Sequence, residues 1–71
     1  MRENWQDLAN AIIIQAVKDH RRAQRVLKAH PRHIAAKKIK DETESFFRSD
    51  WYGALTNVDG EVLIKRLNSE V

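Results

Sequence analysis

The stretch KAHPRH, Lys28 to His33, decides how this chain folds, because helical patterns run up to it and away from it. Pro31 has no backbone N–H to donate and disfavours the helical conformation at His30, so a helix arriving from upstream ends near Lys28 to His30. A short connection of this kind makes the helices on either side antiparallel neighbours.

Upstream, residues 5 to 29 repeat with a helical period. At 100° per residue, Trp5, Leu8, Ala9, Ile12, Ala16, Ala23, Val26 and Leu27 share one face, and Lys18, Arg21, Arg22, Arg25 and Lys28 crowd the opposite one. Asn4 is placed to cap this helix. His20 falls within the apolar stripe, whereas Ile14 falls outside it among the basic residues.

Downstream, a second pattern runs from about Arg32 to Arg48. Ala35, Ala36, Ile39, Thr43, Phe46 and Phe47 lie on one face and Lys37, Lys38, Asp41, Glu42 and Glu44 largely on the other. The stretch RSDWYGALTNVDGEVLIKRL closes the chain. Ser49 or Asp50 can cap a short helical turn through Trp51 and Tyr52, with Gly53 as a permissive turn position. Asn57 can cap a last helix whose apolar edge is Leu63, Ile64, Leu67 and Val71. A hairpin turn at NVDG is the alternative, but no alternating strand precedes it. The expected fold is therefore all-α: residues 1–71 as a single domain, a long antiparallel helical hairpin closed by a short C-terminal helix, in sum a three-helix bundle.

Seventy-one residues give a small core, and the absence of cysteine removes disulfides, thiolate metal sites and a cysteine nucleophile. Stability must come from packing, from capping or from a second copy of the chain. Four of the five aromatic residues fall between Phe46 and Tyr52. Phe46, Phe47 and Trp51 read as mainly core, while Tyr52, beside Gly53, is the ring with the best claim to exposure. The lack of cysteine fits a cytoplasmic protein best, and no segment approaches the roughly 20 apolar residues of a membrane span, so no membrane partner is expected.

The net charge of +3 is unevenly spread. From Lys18 to Lys40 nine Lys/Arg face the single Asp19, whereas Asp41 to Val71 holds seven Asp/Glu against three Lys/Arg. The candidate nucleic-acid surface is the stripe Lys18, Arg21, Arg22, Arg25 and Lys28, extended by Arg32, Lys37, Lys38 and Lys40 if the hairpin gathers them. A solvated helix face explains the same residues. A helix-turn-helix fits poorly, because the helix after Gly60 offers only Lys65, Arg66 and Asn68 as readers and begins with Asp59 and Glu61.

Three further classes are set aside on residue chemistry. His20, His30 and His33 lack a thiolate or nearby carboxylate to complete a tetrahedral set, so no metal is expected. There is no Gly-rich phosphate loop and no nucleophile elbow, so the expectation is no enzyme, no catalytic residues, no cofactor and no small-molecule substrate. What remains is binding. Ile14, with Val17 beside it on the wheel, forms a narrow second apolar edge, and with Tyr52 makes the candidate surface for a protein partner or a homodimer.

The segments WQDLANAIIIQAVKDHRRA and ESFFRSDWYGALTNVDGEVLIKRLNSEV resemble small uncharacterised proteins encoded by phages and integrative elements of Gram-positive bacteria, with the similarity densest at Phe46 to Trp51. The resemblance transfers no activity and no functional residues. It implies an accessory protein of a mobile element, one that regulates genes, assists DNA transactions or binds a host protein.

Overall fold

Each helix begins where a side chain stands ready to accept an orphan backbone N–H. The computed structural model describes residues 4–70. In α1 (Trp5–Ala29), Asn4 Oδ1 accepts from the N–H of Asp7 at 2.9 Å. The helix closes at His30, whose N–H donates to the carbonyl of Val26 at 2.7 Å, one residue before Pro31. In α2 (Ile34–Phe47) the acceptor is an imidazole: His33 Nδ1 takes the N–H of Ala36 at 3.0 Å. Ser49 caps α3 (Asp50–Leu55) and Asp59 caps α4 (Gly60–Asn68), accepting from Tyr52 and from Glu61 respectively.

The all-α expectation holds, but four helices stand among the described residues where three were expected. The turn through Trp51 is a six-residue helix of its own, and Gly53 sits inside it with no positive φ. The cap of the last helix is Asp59 rather than Asn57, a shift that puts Gly60 at the first position of α4 and leaves Thr56 to Asp59 as the connection from α3. Helix α2 starts at Ile34, not Arg32, because His33 is the capping residue. Val71, expected on the apolar edge of the last helix, lies outside the described residues.

Helices α1 and α2 run antiparallel: His20 of α1 meets Glu44 of α2, and Trp5 near the start of α1 meets Trp51 just beyond α2. Buried Ala9, Ala23 and Ala36 lie along the hairpin, small side chains that allow close packing. The larger core groups into Phe47, Tyr52, Ile64 and Leu67, flanked by half-buried Ile13, Val17, Phe46 and Leu63. Phe46, Phe47 and Tyr52 form an aromatic cluster with ring centroids 5.6 to 5.7 Å apart, a separation suited to tilted and edge-on pairs.

Two ring assignments are reversed. Tyr52, expected on display, is 2% exposed, whereas Trp51, expected in the core, is 51% exposed. The Ser49 cap fixes the rotation of α3, and Tyr52 then shares its inward side with Leu55, three residues on, while Trp51 sits a step of about 100° away.

Helix α4 lies on one side of the hairpin only. Its C-terminal end is fastened by the Gln24 side-chain amide, which donates to the carbonyl of Leu67 at 2.7 Å in a buried position, and by Arg21 to Glu70 at 2.8 Å on the surface. At its start Arg48 reaches Glu61 at 2.6 Å. Beneath it His20 is fully enclosed, with Nε2 at 2.9 Å from Glu44 Oε2. Burial pushes the Glu44 carboxyl up, but the hydrogen bond to His20, the charges of Lys40 and His20 and a contact from Asn68 together hold it below the usual range.

Candidate functional site

The apolar stripe of α1 is wider than one neighbouring helix can cover. From Leu8 through Ile12, Ala16 and Ile13 to Val17 it turns through about 180° of the helix, and two neighbours are needed to bury such an arc. Helix α2 takes the middle and α4 takes the side of Ile13, Val17 and Gln24. The remaining side has no occupant among the described residues.

A groove of about 550 Å3 runs there, between Ile12 and Ala16 of α1, Thr43 and Phe46 of α2 and Trp51 of α3. It continues along the α1–α2 seam past Asp19, Arg22, Ile39 and Glu42. At the hairpin tip a further hollow is bounded by Val26, Pro31 and His33. Trp5 stands at the other end, 54% exposed, in an edge-on pair with Trp51 at 6.4 Å between centroids. Leu8 and Ile39 are exposed on the same side. Two tryptophans half in solvent, with a leucine and an isoleucine, are an unusual display for a chain with so little apolar area to spare.

The expected partner surface does not assemble. Val17 is half-buried against the core under α4 and Tyr52 is within it, so neither presents a contact face. Ile14 is 52% exposed, yet it projects from the opposite face of α1 from the groove and stands among polar and basic side chains. Burying Val17 and Tyr52 contributes more than displaying them, because α4 would otherwise have little to pack on.

All eight candidate nucleic-acid residues, Lys18, Arg21, Arg22, Arg25, Lys28, Arg32, Lys37 and Lys38, are exposed. Arg21 is engaged by Glu70, whose hydrogen bond and charge raise the guanidinium pKa. The other seven make no ion pair among the described residues. The hairpin does not gather them into one stripe. Ala36, Thr43 and Phe47 turn toward α1, so Lys38 faces away from it on the far flank.

The three histidines are also apart in role: His20 is enclosed against Glu44, His33 caps α2, and His30 closes α1. Among the described residues no helix is long and apolar enough to cross a membrane. No family model matches the chain, and no curated protein or solved structure matches it either.

The displayed tryptophans were the residues missed from sequence. The width of the α1 stripe was the available signal, since an arc of 180° calls for more partners than a closing helix this short provides.

Proposed function

We propose that this chain is a non-enzymatic helical interaction module of a phage or mobile element, cytoplasmic in setting, which works through protein contacts on the open side of its hairpin. The observation that carries this reading is the exposed Trp5–Trp51 pair at the end of an apolar groove. Tryptophan is the side chain most enriched at the centres of protein interfaces, where a pocket and a ring desolvate together. The groove needs no ligand of particular polarity; it needs an apolar surface of matching shape.

A photo-crosslinking side chain placed at Trp51, with control probes at Lys28 and Lys65, tests this in cells. Protease-sensitive adducts at position 51 and none at Lys65 are expected. Adducts confined to the control positions would refute the assignment of the interface.

A second reading, a nucleic-acid-binding accessory protein, is favoured by one observation: the cations on α1 from Lys18 to Lys28, apart from Arg21, are exposed and unpaired among the described residues. They span about 15 Å of helix and can follow a phosphate backbone by charge alone. A salt series distinguishes the two, because binding through these cations falls steeply with salt and is lost on changing Arg22, Arg25 and Lys28 together to Glu. Nuclease-sensitive adducts at Lys28 alone would move this reading to first place.

A further inference from the structure

We propose that the open side of the hairpin closes on a second copy of this chain, packed antiparallel about a two-fold axis; this rests on the protein-contact reading and names its partner. Three observations point to the same arrangement.

The first is area. Beside α1, which is about 37 Å long, α2 supplies about 21 Å and α3 about 9 Å, and two helices side by side present a face about 20 Å wide. The face is on the order of 600 Å2, at the lower end of the ~600 to 1,000 Å2 that each partner contributes to a stable interface. A single added helix, about 10 Å across, would leave much of that face wet. A second hairpin matches it in both dimensions.

The second is charge. The tip carries Arg32, within a run that has no acidic residue between Arg21 and Lys40, while the other end carries Asp50 beside Trp51. Parallel packing would set tip against tip and cation against cation. Antiparallel packing sets Arg32 of one copy near Asp50 and Trp51 of the other, an ionic and cation–π combination. Between the ends the same face carries Asp19, Glu42 and Arg22, charges of both signs that can pair across a two-fold axis.

The third is the core itself. Of the eight buried apolar side chains among the described residues three are alanine, so few large groups are buried. Enclosing Trp5, Leu8, Ile39 and Trp51 adds the larger side chains that the monomer leaves about half in water, with the partly buried Ile12 beside them.

The chain has no cysteine, which allows a clean test. Sedimentation from about 5 to 500 μM should show a mass approaching twice 8.3 kDa, with the dissociation constant raised at least tenfold by Trp51→Glu at unchanged helicity. A mixture of chains carrying Arg32→Cys and Asp50→Cys should crosslink between the two species and little within either. A mass of 8.3 kDa at every concentration overturns the proposal, and so does crosslinking of Arg32→Cys chains to one another in preference. If Trp51→Glu loses helicity, the double charge reversal Arg32→Glu with Asp50→Arg decides instead: it should restore the dimer that Arg32→Glu alone weakens, and failure to restore refutes the register. An in-cell adduct of another protein at position 51, with a monomer in vitro, would overturn the second copy while leaving the protein-contact reading intact.

Discussion

The two glycines of this chain should respond to alanine with opposite signs, and the difference measures how tightly α4 is docked. Both are helical, neither has a positive φ, and helix propensity alone favours alanine at each, by up to about 1 kcal/mol in a helix interior. At Gly53 nothing lies within 4 Å of where a Cβ would sit, so Gly53→Ala should stabilise by about 0.5 to 1 kcal/mol. At Gly60 the added carbon would fall 1.9 Å from the carbonyl oxygen of Phe47 and 2.9 Å from its carbonyl carbon. Those are backbone atoms at the end of α2, with no rotamer by which to yield. The start of α4 must move away, drawing Ile64 and Leu67 from the aromatic cluster. Overpacking costs typically 1 to 3 kcal/mol, and a backbone obstacle puts this case at about 2 to 3 kcal/mol net of any propensity gain. A domain of this size shifts by about 4 to 8 °C per kcal/mol, so the two variants should melt at least about 10 °C apart. Thermal and urea unfolding followed by circular dichroism, at one fixed protein concentration, gives the comparison. A Gly60→Ala variant that melts at or above the parent would refute the close seating of α4 on α2.

Further predictions follow from the caps, the core and the buried carboxylate. His33→Ala removes the acceptor for the Ala36 N–H and should cost about 0.5 to 2 kcal/mol, whereas His33→Asp should recover it, as read by urea midpoints. Phe47→Ala should cost about 3 to 5 kcal/mol and Trp51→Ala much less, while Tyr52→Phe should be close to neutral because its buried hydroxyl has no partner among the described residues; equal losses for Phe47 and Trp51 would contradict their placement. Glu44 binds its proton less readily in the folded chain than in the unfolded one. Its contribution is therefore present above the ordinary glutamate value near pH ~4.3 and is lost as the pH falls through the lower folded value, so Glu44→Gln should flatten the acid limb of the stability curve.

The hairpin was legible because its signals are local. Pro31, the Asn4 cap and the 3.6-residue period of α1 act within a few residues of themselves, and the structure places the end of α1 at Ala29 on those grounds. Position within the C-terminal third depended on which of several capping side chains won. Asn57 and Asp59 are both good caps, and Asp59 prevails, accepting two backbone N–H groups, in a helix whose start fits against the end of α2. The exchange between Trp51 and Tyr52 has the same origin. Composition says that large rings are buried, but the rotation of a six-residue helix says which ones, and the later Leu55 was the one clue to it. His20 was legible as part of the apolar stripe, but not its partner. Its acceptor, Glu44, lies on the other helix, 24 residues away, beyond the reach of pattern reading.

The two surfaces of this molecule bear on each other. In an antiparallel pair each basic tip lies against the acidic end of its partner, so Arg32 is drawn into the interface and its charge is partly neutralised. The stripe Lys18, Arg25 and Lys28 stays outside, because it occupies the side of α1 away from α2 and from the groove. A pair related by a two-fold axis would then carry two such stripes on one elongated body, each weaker toward phosphate than the tip and stripe of a single chain acting together. Phosphate binding and self-association therefore compete for Arg22 and Arg32 but not for Lys18. The competition has a sign: raising the protein concentration through the dimer range should lower the affinity of each chain for phosphate backbone if the tip carries that binding, and leave it unchanged if the stripe does. Shared use of Arg22 and Arg32 is the point at which the protein-contact and nucleic-acid readings cease to be independent.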